Sequence, residues 1–133
     1  MYDQTKKSSA VHNICKFMSL KNDSVVRTMS MLEYDFCFHA EYNPQIVRYE
    51  SQPHGFEYYF NGRYCRYTPD FQLFDSIDTP SLIEVKHSSQ ILKPDFRARF
   101  KEKQLVAQAE YGKKLILVTE KQIRTGFLLS NLK

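Results

Sequence analysis

Residues 46–86 read IVRYESQPHGFEYYFNGRYCRYTPDFQLFDSIDTPSLIEVK, the most informative run of the chain. Ile46 to Glu50 and Phe56 to Phe60 are short β-branched and aromatic runs, and Gln52-Pro53-His54-Gly55 between them breaks the chain. Asn61-Gly62 predicts a two-residue hairpin, because both residues tolerate the positive φ of a type I′ turn. A returning strand is expected from Arg63 to about Phe74, then a turn over Asp75–Ser81, then a short strand Leu82–Lys86. Three or more antiparallel strands therefore belong in the middle of the chain.

Outward from this core the period lengthens. Val25 to Met29 predicts a short extended piece. Ser30-Met31-Leu32-Glu33 fits the S-x-x-E box that opens a helix, which should run to about Tyr42 and stop before Pro44 with Leu32, Phe36 and Ala40 inward. Pro94 near a first turn and Gly112 as a stop bracket a second helix, Asp95 to Tyr111, with Phe96, Phe100, Ala107 and Tyr111 on its apolar face and Gln104 in the same stripe. Lys114 to Thr119 is a continuous apolar run suited to a strand covered on both faces. The order helix, strands, helix, strand gives an α/β sandwich. Residues 1–23 read as an N-terminal arm and 120–133 as a short helix or docking tail.

A length of 133 residues favours one domain over 1–133, and 42% hydrophobic residues without low-complexity tracts exclude a disordered chain. The net charge of +4 permits nucleic acid as a partner without requiring it. Cys15, Cys37 and Cys65 have neither the spacing of a zinc site nor the even number of a disulfide framework. No apolar run approaches the ~20 residues of a membrane helix, and the first residues lack the apolar core of a secretory signal. The expectation is a cytoplasmic protein with reduced thiols and no membrane partner.

Pro69-Asp70 and Glu84-Val85-Lys86 are 14 positions apart, on what the pattern makes the two central strands. Together they spell PD…(D/E)xK. Alternation puts Glu84 and Lys86 on one face and Ile83 and Val85 on the other, so adjacent strands can gather Asp70, Glu84 and Lys86 on one side of the sheet. Two carboxylates and a backbone carbonyl, that of Val85, are hard oxygen ligands suited to Mg²⁺, for which Mn²⁺ can substitute. Phosphodiester hydrolysis needs an in-line water and relief of negative charge, which a metal and Lys86 can supply. Glu33 is a candidate third carboxylate from the first helix, and equally a capping residue paired with Ser30. Gln104 is either a core amide or a residue near the metal or the DNA. Lys93, Arg97 and Lys101 recur every four residues, with Arg99 and Lys103 beside them, as a solvated face or as phosphate contacts. His12, His39, His54 and His87 show no ligand spacing; only His87, next to Lys86, belongs near the site.

Ser30 to Phe36, Glu50-Ser51-Gln52-Pro53, Tyr67-Thr68-Pro69-Asp70-Phe71 and Leu82 to Lys86 resemble, in order and spacing, the catalytic domain of the TnsA family, its short members from CRISPR-associated elements in particular. The likeness covers roughly residues 10 to 125. It implies an α/β, restriction-endonuclease-like core with a mixed central β-sheet flanked by helices on both faces. It further implies a Mg²⁺-dependent endonuclease that cuts the 5′ strands at double-stranded transposon ends, beside a TnsB-like transposase that handles the 3′ strands and a TnsC-like ATPase that regulates both. By motif match Glu33, Asp70 and Lys86 take catalytic positions, with Glu33 and Asp70 as metal ligands; Glu84 stands where some members carry an uncharged residue. Members commonly continue into a C-terminal helical domain, which is expected to be absent here. Two alternatives stand beside this reading: a free-standing repair or restriction endonuclease, and a catalytically silent DNA-binding or assembly module of the same fold.

Overall fold

The computed structural model describes residues 15–77 and 79–125. Its centre is a four-stranded mixed sheet built from β3 (Ile46–Ser51), β6 (Phe71–Asp75), β7 (Pro80–Val85) and β8 (Lys114–Val118), in that order. The first three run antiparallel, while β7 and β8 are parallel, which their intervening helix makes possible. Register sets Phe71 opposite Ile83, and Leu82 opposite Leu115.

One face is covered by α1 (Met31–Tyr42), capped by Ser30, whose Oγ accepts the Glu33 amide. Phe36 packs on Phe71 at a ring separation of 4.9 Å within a core that also holds Ile83, Val85 and Val118. The inward positions are Glu33, Phe36, Cys37 and Ala40, while Leu32 is only half-buried. A pure four-residue step drifts around a 3.6-residue helix, so the true stripe alternates steps of three and four.

The opposite face is covered by α3 (Pro94–Tyr111), ended by Gly112 at φ 64°. Phe100 and Ala107 pack there against Leu82 and Leu115. Over the same face lies a separate two-stranded sheet of β4 (Phe56–Phe60) and β5 (Arg63–Tyr67), turned at Asn61 and Gly62 with φ 50° and 78°. Helices thus flank both faces, as expected.

The returning strand expected from Arg63 to Phe74 is in fact two. Thr68-Pro69-Asp70 carries the chain from the hairpin sheet into the central sheet, where the Asp70 amide already donates to Ile83 O at 2.9 Å. Pro69, fully buried and without an N–H, cannot extend either ladder as a donor.

The described end of the arm forms β1 (Cys15–Ser19), paired antiparallel with β2 (Ser24–Thr28), so residues 15–23 pack on the domain. Two short helices complete the description, α2 (Ser88–Ile91) and α4 (Glu120–Thr125). Residues 1–14, with His12, and tail residues 126–133 lie outside the described residues. Among those described, Cys37 and Cys65 are free thiols, and no helix is long and apolar enough to cross a membrane.

Candidate active site

Asp70 is held from three directions. Its amide donates to Ile83 O at 2.9 Å, its carbonyl accepts the Gln52 amide at 3.0 Å, and its Oδ2 accepts the Val85 amide at 2.7 Å. It therefore grips β7 on both sides of Glu84. The loop behind it is tightly seated: Gln52 adopts φ 51°, and a Cβ on Gly55 would come within 2.3 Å of Tyr67 O.

Glu84 is buried on the α3 side of β7. Its Oε2 lies 3.8 Å from Lys86 Nζ and its Oε1 lies 3.9 Å from Lys103 Nζ. Both distances exceed hydrogen-bond length, and Oε1 has no hydrogen-bond partner; the buried Tyr67 hydroxyl is likewise unpartnered. Lys86, half-buried at the end of β7, has its ammonium 5.7 Å from the Phe96 ring.

Glu33 reaches the site from α1, yet its carboxylate also serves the helix start. Oε1 accepts the Met29 amide at 3.2 Å, and Ser30 Oγ lies 3.5 Å from Oε2. The contacts of Glu33 are those of the capping reading.

Electrostatics tie the acids together. Burial, then the charges of Glu33 and Glu84, push Asp70 well above the usual carboxylate range, against the Val85 amide and Lys86. Burial raises Glu33 as well, opposed by its bonds to Met29 and Ser30, with the Glu84 charge adding to the rise. Burial lowers the Lys103 ammonium, and burial followed by the charge of Glu84 raises the Tyr67 phenol. Carboxyls that raise one another's proton affinity are relieved by a cation.

The donor set therefore suits a hard divalent ion: oxygen ligands, mutually repelling acids and an orphaned buried Glu84 Oε1. As the side chains stand, no group of three His, Cys, Asp or Glu among the described residues converges as a ready metal cage. The fit rests on Asp70 and Glu84, with Glu33 committed to its cap.

Lys103 is the residue sequence reasoning undervalued. Its ammonium lies 4.2 Å from the Tyr67 ring centroid and 5.6 Å from that of Tyr58. Phe96, Phe100, Lys103 and Ala107 follow steps of four, three and four, a spacing that marks Lys103 as a stripe position. Gln104 is instead exposed and donates from Nε2 to Leu115 O at 3.0 Å; Tyr111 is exposed too. Arg97, Lys101 and Gln104 line an open groove of about 390 Å³ with Phe96, Phe100 and Leu117, the last in register with Glu84. Lys93 is exposed just before it. His87 caps α2, its Nδ1 accepting the Ser89 amide at 3.2 Å, and its Nε2 faces Glu120 at 3.6 Å, so its charged neighbour is Glu120.

A mixed sheet whose central strands bring Asp70, Glu84 and Lys86 together is compatible with a nuclease-like fold. The sequence model for the N-terminal part of TnsA-like endonucleases matches residues 43–120, and the chain belongs to that family. The matched span includes Asp70, Glu84, Lys86 and Lys103, and begins after Glu33. No curated protein matches the chain.

Proposed function

We propose that this protein is a Mg²⁺-dependent DNA endonuclease that cuts the 5′ strands at transposon ends, working with a TnsB-like transposase and a TnsC-like ATPase, its core of restriction-endonuclease type. The observation that carries the reading is the grip of Asp70 on Ile83 and Val85, which sets one carboxylate beside another, Glu84, with the Lys86 ammonium 3.8 Å from it.

Asp70 and Glu84 would hold the ion, with the Val85 carbonyl as a further oxygen and Glu33 joining on release from its cap. A bound Mg²⁺ supplies Lewis acidity and a more acidic water. Lys86 orients the attacking water and offsets charge that builds on the scissile phosphate. Arg97 and Lys101 in the groove, with Lys93 at the start of the same helix, contact neighbouring phosphates, and Gln104 stands beside them.

Strand cleavage in Mg²⁺ with the partner proteins tests this: wild type cuts, and Asp70→Ala and Lys86→Ala do not. Variants that cut as well as wild type sink the proposal. The cap bonds of Glu33, which occupy a carboxylate that the site would need, support a second reading, a silent DNA-binding module of the same fold. Such a module shows no Mn²⁺ binding that depends on Asp70 and Glu84.

A further inference from the structure

The ribbon of β1 and β2 has two faces of different character. Phe17 and Val26 turn into the core on the α1 side of the central sheet, where Phe17 meets the rings of Tyr34 and Phe38. On the outward face Lys16 stands directly opposite Arg27, and Met18 opposite Val25, all four exposed. Like charges set opposite one another across two strands destabilise the pairing. Among the described residues neither cation has an acidic side chain within ion-pair distance. The pair is therefore set to be relieved by an anion from outside the chain.

Placement identifies that anion. The two cations occupy the end of the ribbon that runs through Met29 into the Ser30 cap, whereas Asp23 and the Glu41 carboxylate, bonded to the Leu20 and Lys21 amides, mark the turn end. Arg27 is two residues from Met29, whose amide donates to Glu33. It thus lies roughly three nucleotide steps, at about 3.4 Å each, from that carboxylate, whose charge in turn acts on Asp70. The groove of Arg97 and Lys101 lies on the other face of the sheet, against Phe96, Phe100 and Leu117.

We propose that Lys16 and Arg27 form a second phosphate-binding site, which seats the DNA backbone on the α1 side of the acidic centre while the groove holds it on the α3 side. This rests on the DNA-cleaving reading above. Contacts of this kind fix the register of a duplex and carry no sequence preference.

The test is the binding of a fluorescently labelled DNA duplex to the 133-residue chain, by anisotropy in EDTA, between about 50 and 200 mM salt. Lys16→Gln and Arg27→Gln are each expected to flatten the dependence of log affinity on log salt by about one unit. Lys16→Glu places a carboxylate opposite Arg27, and is expected to weaken duplex binding while unfolding at the same or a higher urea concentration. Lys114→Glu makes the same charge change at the start of β8, away from Leu117 and Glu84, and should bind as wild type does. Losses of stability in step with binding, or an equal loss of binding in Lys114→Glu, overturn the inference. Duplex binding that falls in Arg97→Gln but not in the Lys16 and Arg27 variants overturns it and leaves the DNA-cleaving reading standing, whereas a wild type without salt-dependent duplex binding overturns both. Should Lys16→Glu not fold, the slopes of the two glutamine variants decide.

Discussion

Asp70 and Glu33 both hold their protons more tightly in the folded protein than in the unfolded chain, and this fixes the sign of a pH dependence. Between the unfolded value near 4 and the raised folded values, these two groups bind more protons in the native state, so their contribution to stability is greatest at low pH and is lost as pH rises, whereas Glu41 and Glu120, held low, contribute in the opposite direction at acid pH. Thermal unfolding of the metal-free protein is expected to show a midpoint that falls as pH rises above the ordinary carboxylate range. Asp70→Asn, which retains an acceptor for the Val85 amide, should flatten that slope and raise stability at neutral pH by about 1 kcal/mol while abolishing activity. An unchanged slope in the variant would assign it to other groups. Divalent ion at a hundredfold excess over its dissociation constant should add about 2.7 kcal/mol, an increment missing from Asp70→Ala. At this scale Asp70, Glu84 and Lys86 were legible because strand alternation is a two-residue rule. Lys103 was not, since a basic residue among basic neighbours reads as solvent-facing until the three-four alternation of its helix is followed.

Secondary-structure elements carry two further expectations. Gly55 lies in the loop that holds the Asp70 carbonyl through Gln52, and a methyl there meets backbone, which cannot move aside cheaply. Gly55→Ala should therefore cost roughly 1–3 kcal/mol, and should weaken Mn²⁺ binding in step, as calorimetry of folding and of binding would report. Ser30→Ala removes the α1 cap and should cost about 1 kcal/mol in chemical denaturation. Helix limits, the Asn61-Gly62 turn and the strand positions could be read directly, since caps, breakers and period are local. The break at Thr68-Pro69-Asp70 could not: both halves have strand composition, and only the sheet each one joins separates them.

For the whole molecule, the joint between the β1–β2 hairpin and α1 combines the packing of Phe17 on Tyr34 and Phe38 with the bonds of one lysine and one glutamate. Lys21 Nζ donates to the carbonyls of Ala40, Asn43 and Ile46, while Glu41 accepts from Ser19 Oγ, the Leu20 and Lys21 amides and the Tyr49 hydroxyl. Lys21→Met leaves those carbonyls without their ammonium, and is expected to lower stability by about 1–3 kcal/mol in urea. None of this could be seen in the sequence, because Lys21 lies 19 to 25 residues from its partners.

Cys37, fully buried one turn beyond Glu33, has a thiol pushed up to about 12. It cannot react until α1 leaves the sheet, whereas half-exposed Cys65 has no such barrier. Slow labelling of Cys37 is thus a clock for the opening that also frees Glu33. Run with and without divalent ion, the clock measures how firmly the acidic centre and this helix hold one another shut.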